Sequence, residues 1–323
     1  MDPAGPNHGI RFSTDTLPER DRLPYLREAY GRSIIGLDLE PLQGGPIKLA
    51  TSLHAFDGLR AVSTRTSGMA IRRTRPLLAD GNDDLVLSIN VSGVCLPSQV
   101  GRECRLDAGS AVLMSCADVG DLIRPCQARY LTLFVPRRRL SAMAVDPEDA
   151  LARPIPADTE ALRLLNDYVA TALRKQRLTT PELRQLFTTH VHDLIALAVG
   201  ATRDTGEAAR GRGLRAARLS AIKSDVTDRL DNEGLCVSDA AARRGVTPRY
   251  VQMLFESEGT TFTEYVLQQR LSRARQMLAD RRHQGRSVSA IAFEVGFGNL
   301  SYFNRTFRRH FGMTPSDARR MNG

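Results

Sequence analysis

Val237-Ser-Asp-Ala-Ala-Ala-Arg-Arg-Gly245 and Val288-Ser-Ala-Ile-Ala-Phe-Glu-Val-Gly296 carry one pattern twice. Val237/Val288, Ser238/Ser289, Ala241/Ala292 and Gly245/Gly296 are each 51 residues apart. Just downstream, Arg249-Tyr-Val-Gln-Met-Leu-Phe255 aligns with Ser301-Tyr-Phe-Asn-Arg-Thr-Phe307 at an offset of 52, so the second copy has one extra residue in its turn. Each copy has the parts of a helix-turn-helix. Ser238 and Ser289 are N-cap candidates. Ala241 and Ala292 are small where two helices must approach closely. Gly245 and Gly296 can stop the first helix in a left-handed conformation. The second helix then turns Tyr250, Val251, Leu254 and Phe255 inward in copy one, and Tyr302, Phe303 and Phe307 in copy two.

That leaves Arg249, Gln252, Met253 and Glu256 outward in copy one, and Ser301, Asn304, Arg305, Arg308 and Arg309 in copy two. Arg matches guanine O6/N7, and Asn or Gln matches adenine N6/N7. Any single residue of this set is as well explained by a solvated helix face. Two copies in the same orientation favour helices that enter major grooves. Between them, residues 263–278 repeat Tyr265, Leu267, Leu271, Ala274 and Leu278 at helical spacing, as a helix that fixes the separation of two readers would.

The charge agrees with this division. The 323 residues carry a net charge of +9. Residues 1–210 hold 26 basic and 25 acidic side chains, and residues 211–323 hold 19 and 11, so nearly all the excess lies beside the repeat. A basic segment fits an anionic partner such as nucleic acid.

The rest of the chain reads differently. Residues 1–22 are a polar lead-in, and 23–35 have a helical pattern through Leu23, Leu26, Ala29 and Tyr30. From 47 to 135 short apolar runs alternate with turn signals at 80–84 and 107–109. Leu85, Leu87, Ile89 and Val91 share one face of a strand; 111–114 and 130–135 are further strands, which together suggest a sandwich or small barrel. Helices are expected at 137–145, 160–177 and 181–199, the last with Pro181 in its first turn after Thr179 and Thr180. Residues 201–213 are polar and Gly-bearing, the expected linker between domains 1–200 and 214–323. No run approaches the ~18 apolar residues of a membrane span, and no signal peptide pattern opens the chain, so a cytoplasmic, non-membrane protein is expected.

The stretch Ile291-Ala-Phe-Glu-Val-Gly-Phe-Gly-Asn-Leu-Ser-Tyr-Phe-Asn-Arg-Thr-Phe-Arg-Arg-His-Phe-Gly-Met-Thr-Pro315 resembles the signature of AraC/XylS-type transcriptional regulators. The resemblance covers residues 214–323. Residues 10–200 more distantly resemble the β-rich ligand-binding and dimerisation domain of one branch of that family. It implies an α+β chain: a cupin-like β-barrel or sandwich that binds a small effector, helices at 160–199 that dimerise, and seven C-terminal helices forming two helix-turn-helix units on one linker helix. It further implies that both recognition helices enter successive major grooves. Arg249, Gln252 and Met253 would reach bases from the first, Ser301, Asn304 and Arg305 from the second, and Arg308 and Arg309 would touch phosphate. The expected partners are duplex DNA, a small-molecule effector, RNA polymerase and a second copy of the chain. One departure is that 255–259 is a residue shorter than the usual spacing, with Glu256 and Glu258 placing acid beside the first reader.

Other chemistry is thinly represented. Cys95, Cys104, Cys116, Cys126 and Cys236 are odd in number and form no C-x-x-C pair, and four of them fall in the strand region as small core residues would. His190 and His192 point about 200° apart on a helix and cannot share a metal, and no cofactor motif is present. Arg72, Arg73 and Arg75 could pair with a carboxylate effector or could line a solvated strand edge. The alternatives to a regulator are a DNA-targeted enzyme with Cys126 as its nucleophile, and a non-specific DNA-coating protein. Against the latter stands the mixed polar face of the readers, where uniform Lys and Arg would be expected.

Overall fold

The computed structural model describes residues 10–42, 47–143, 147–174, 178–200 and 210–320. The chain forms two compact units, Met1–Ala217 and Arg218–Gly323.

The first unit is built on two antiparallel sheets. The larger has the order β1 (Ile10–Ser13), β3 (Leu49–Phe56), β4 (Leu59–Thr66), β11 (Ala128–Val135), β6 (Leu85–Ser92), β9 (Ala111–Ser115), β12 (Pro154–Ile155). The smaller has the order β2 (Asp38–Pro41), β5 (Met69–Arg73), β10 (Gly120–Arg124), β7 (Leu96–Gln99), β8 (Arg102–Glu103). Of the two expected forms this is the sandwich: among the described residues no closed barrel forms. The expected lead-in is not all irregular. Ile10–Ser13 pairs with β3, Ile10 opposite Leu53, in a strand too short for its periodicity to show; residues 1–9 lie outside the described residues.

Strand β6 explains the layering. Leu85, Leu87 and Ile89 face one side, and Val86, Ser88 and Asn90 the other, yet all six are buried. The large sheet is therefore covered on both faces. One face packs on helices α3 (Glu160–Arg174) and α4 (Pro181–Val199), where Leu87, Leu131 and Leu133 meet Leu162, Leu165, Phe187 and Leu194. The other faces the small sheet. Helix α1 (Glu19–Pro24) runs into a π-helical segment, Tyr25–Ile35, which ends at Gly36 in the left-handed conformation. It sends Leu26 and Tyr30 in beside Leu39, Met69, Ile71 and Tyr130.

Helix α2 (Arg137–Ser141) is shorter than expected, and residues 144–146 lie outside the described residues. So do 175–177 at the end of α3. Helix α4 has the expected bounds, with Thr180 Oγ1 accepting from Leu183 N at 3.3 Å. Residues 201–209 of the expected linker also lie outside the described residues. Residues 210–213 are helical, within Arg210–Leu214, and Arg212 pairs with buried Asp193 at 3.2 Å.

From 215 to 320 there are seven α-helices: α5 (Arg215–Asp228), α6 (Val237–Arg243), α7 (Pro248–Glu256), α8 (Phe262–Ala279), α9 (Val288–Glu294), α10 (Leu300–Phe311) and α11 (Pro315–Arg320). Helices α6/α7 and α9/α10 are the two helix-turn-helix units, each with its own core. Helix α8 serves both. Phe262, Tyr265 and Val266 pack with Val251, Leu254 and Phe255. Leu271, Ala274 and Leu278 pack with Ile291, Phe303 and Phe307. Its start is fixed by a capping box, in which Thr261 Oγ1 accepts from Glu264 N and the Glu264 carboxylate accepts from Thr261 N.

Candidate nucleic-acid interface and effector cavity

The two turns are built alike. Gly245 has φ +63° and Gly296 φ +90°, as the left-handed stop requires. In copy one Val246 N donates to Ala241 O at 3.1 Å, and in copy two Phe297 N donates to Ala292 O at 3.0 Å. Ala241 and Ala292 are buried between the helices. The reader helices start from caps 52 residues apart: Thr247 Oγ1 accepts from Tyr250 N at 3.2 Å, and Asn299 Oδ1 from Tyr302 N at 2.8 Å. The extra residue of copy two therefore lies between Gly296 and Asn299. Gly298 sits there against the Glu233 carboxylate, which would have to move to admit a side chain.

Ser238 and Ser289 are not caps. Both helices begin two residues earlier than caps at those serines would place them, so the capping positions fall on Cys236 and Ser287. Ser287 Oγ accepts from Ala290 N at 3.0 Å, whereas Cys236 makes no side-chain cap.

Val251, Leu254 and Phe255 are buried in copy one, with Tyr250 half-buried. In copy two Phe303 and Phe307 are buried, but Tyr302 is 43 % exposed and turns outward. Thr306, which stands where copy one has Leu254, is buried with Phe303 and Phe307. The Thr306 hydroxyl is satisfied by donating to Tyr302 O at 2.8 Å, so a polar residue fits the core.

Arg249, Gln252, Met253 and Glu256 are all exposed on α7, and Ser301, Asn304, Arg305, Arg308 and Arg309 on α10. Two turns of each helix thus offer equivalent positions: Arg249 matches Ser301, Gln252 matches Asn304, and Met253 matches Arg305. Arg309 lies further round, beside Glu264 and Gln268 of α8. Charge separates the copies, since Glu256 occupies the position that Arg308 holds in copy two. Glu258 is drawn away to Lys223. Among the described residues Arg249, Arg305 and Arg308 enter no ion pair, while several other arginines are committed to structure. Arg270 donates to Leu230 O at 3.1 Å and Asn232 O at 2.6 Å, Arg243 pairs with Asp225 at 2.8 Å, and Arg286 pairs with Glu294.

Between the sheets of the first unit lies a cavity of about 70 Å³, walled by Val62, Val86, Met114, Leu122 and Phe134, with Tyr30 and Tyr130 at one side. The three arginines considered for it part company. Arg72 is on the outer face, paired with Glu40 and with Asp121 at 3.4 Å. Arg75 is exposed on the 3-10 turn Arg75–Asp80. Arg73 borders the cavity and is 6 % exposed, so it is not at a solvated edge. It is also engaged by the chain itself. Nη1 and Nη2 grip Asp80 at 2.9 and 2.6 Å, Nη1 reaches Gly36 O at 2.7 Å, and Nε donates to Cys116 O at 2.9 Å. This guanidinium holds the Asp80 carboxyl below its usual range. An arginine absent from the sequence expectation, Arg124, is buried in the same layer.

His190 and His192 go to separate partners, the Tyr168 hydroxyl and Gly58 O, each at 2.9 Å. Cys95 and Cys116 are core residues as expected, and burial pushes the Cys116 thiol up to about 11. Cys126 is instead exposed, between β10 and β11. No described helix is long and apolar enough to cross a membrane.

Residues 240–321 match the family model described as a helix-turn-helix domain, and residues 26–199 match the AraC-binding-like domain. The chain is 30 % identical to the transcriptional activator RhrA of Rhizobium meliloti strain 1021 over 97 % of both chains. It is 26 % identical to the transcriptional activator NphR of a Rhodococcus species, over 80 % of this chain and 77 % of that one. Neither relative is named for an enzymatic activity. The two matched domains occupy the two units, and the similarity to RhrA runs almost end to end. The chain belongs to the AraC family of DNA-binding transcriptional regulators.

Proposed function

We propose that this regulator is an effector-responsive activator that works in the cytoplasm as a homodimer. The observation that carries its DNA contact is the pair of equivalent reader faces, exposed and free of ion pairs at Arg249, Arg305 and Arg308 among the described residues. Arg249, Gln252 and Met253 read bases from α7, and Ser301, Asn304 and Arg305 from α10. Arg308 reaches phosphate in line with them, and Arg309 does so from the flank. Because Glu256 replaces a cation on α7, the second reader carries more of the electrostatic grip. Activation is supported by the names of RhrA and NphR, and it makes RNA polymerase a partner. Dimerisation is supported by Leu183 and Leu186, which are 44 % and 51 % exposed on α4. The cavity between the sheets supports an effector, which shifts the population between states that present the readers differently.

The test is selection of bound sequences from a random duplex pool, followed by footprinting. Enrichment of one site with two adjacent major-groove elements is expected. Protection that ignores sequence at every salt concentration would overturn the specific-reader assignment.

A further inference from the structure

Several arginines of the first unit are neutralised locally. Arg32 pairs with Asp38 at 3.0 Å, Arg60 with Asp84 at 3.2 Å and Arg153 with Asp149 at 2.6 Å. Arg11, Arg65 and Arg129 are exposed, and among the described residues none of the three enters an ion pair or a side-chain hydrogen bond. All three line one open groove of about 510 Å³ on the large sheet.

The strand register brings them together. Arg65 of β4 stands directly opposite Arg129 of β11. Ala50 of β3 stands opposite Arg65, and Ser13 of β1 opposite Ala50. Arg11 is two residues before Ser13, so all three arginines project from one face. At ~4.8 Å between strands and ~3.3 Å per residue, the Cα atoms of Arg11 and Arg65 are about 12 Å apart, a span that two arginine side chains can close onto one ion. The face is the one that packs on α3 and α4. Leu59 and Ala61 alternate in step with Ser63 and Arg65, and Leu131 and Leu133 with Arg129; the leucines and the alanine lie in the core beneath the helices, while Ser63 and the two arginines are left uncovered. The cavity between the sheets lies on the opposite face, behind Val62 and Phe134.

Ser52 and Ser63, opposite each other, add hydroxyls to the lining, and no carboxylate lines the groove. Asp15, on the turn that follows β1, is outside it. Charge on an edge strand opposes aggregation and accounts for Arg11 on β1. It does not account for Arg65 and Arg129, which sit on inner strands. Like charges directly opposite on neighbouring strands repel, and nothing in the groove neutralises this pair.

We propose that the groove is a second ligand site, which takes a phosphorylated small molecule, with Arg11, Arg65 and Arg129 on the phosphoryl group. A phosphoryl group carries nearly two negative charges and three acceptor oxygens that point in different directions. Arginines arriving from β1, β4 and β11 can therefore share it. A lone carboxylate is planar and is filled by one guanidinium. The hydroxyls suit a hydrated body, such as a sugar, rather than an apolar one. The site is separate from the cavity between the sheets and does not depend on what that cavity binds.

The experiment is calorimetric titration of the full chain, at fixed ionic strength, with glucose 6-phosphate, glucose, inorganic phosphate and citrate. The two phosphates bind, citrate binds more weakly and glucose does not bind. Arg65→Gln and Arg129→Gln each weaken the phosphates at least ~10-fold, as loss of a hydrogen bond to a charged group requires. Both variants melt at or above the wild type without ligand, because the repulsion is relieved. Arg305→Ala, on the second reader, leaves the titration unchanged. Inorganic phosphate as tight as the ester would support the phosphoryl site and show that the sugar makes no contact. No binding of either phosphate, binding that survives the double Arg65→Gln, Arg129→Gln variant, or binding lost in Arg305→Ala would each overturn the proposal. Citrate tighter than both phosphates would overturn the phosphoryl assignment in favour of polycarboxylates. Loss of operator affinity in the double variant without ligand would assign the groove to the DNA backbone and overturn the small-molecule site.

Discussion

Tyr265 and Leu271 stand six residues apart on α8 and belong to different cores. The Tyr265 ring lies 5.3 Å from that of Phe255, under the first reader, while Leu271 packs beneath the second. One helix thereby sets the spacing of both reading faces. Leu271→Ala should cost about 2–5 kcal/mol, as deletion of a fully buried leucine does. Urea denaturation would measure it. Protection at the half-site read by α10 should weaken before the other, and equal weakening of both would contradict the division into two cores.

The two turn glycines should not be equally replaceable. Both are left-handed, and Gly245→Ala should cost about 1–2 kcal/mol for that reason alone, since nothing crowds the position. A Cβ at Gly296 would also meet the Leu230 carbonyl and the Arg270 guanidinium. Gly296→Ala should therefore cost more, and denaturation curves showing equal losses would refute the close approach.

Copy one lacks the cap that copy two has. Ser287→Ala should cost about 1 kcal/mol, and Cys236→Ser should gain a similar amount by supplying the missing oxygen to α6. Melting temperatures of the two variants should move in opposite directions.

At the DNA, Arg305→Ala should cost ~1–3 kcal/mol at one base position and relax specificity there. Arg308→Ala should weaken all sequences alike and lower the slope of log K against log salt by about 1. Binding titrations over a salt series would distinguish the two, and identical behaviour would mean that one of them is wrongly assigned.

Acidification should destabilise the first unit before its carboxylates titrate. Burial is the largest influence on His190 and on His192, and it pushes both imidazoles down. The unfolded chain then takes up protons near pH 6.5 while the folded chain resists them. Stability is complete above that pH and falls as pH drops through it toward the lower folded values. A double His190→Gln, His192→Gln variant should show a flatter melting profile between pH 7 and 5.5.

The second unit was legible because its determinants are local. Cap, apolar spacing and stop glycine lie within a few residues of one another, and duplication repeats the signal. Two details differ from the pattern: the caps of the first helices stand two residues before the serines, at Cys236 and Ser287, and in copy two Thr306 is buried while Tyr302 is exposed. A hydroxyl that can donate to its own preceding turn can enter a core that a polarity count would deny it.

The sequence by itself determined the division of labour, the two reader helices and the residues on their outward faces, because helical periodicity assigns a face without knowledge of the neighbours. Only the tertiary structure decided what the arginines of the strands do. Adjacent Arg72 and Arg73 point to opposite faces, and nothing local says which face is covered. Arg124 is buried because β10 pairs with β5, which sets distant Met69 opposite it, and because the Tyr130 ring of β11 lies against its guanidinium. Burial of a strand residue is set by which strands pair and which sheet lies above them, and those contacts are made across the chain rather than along it.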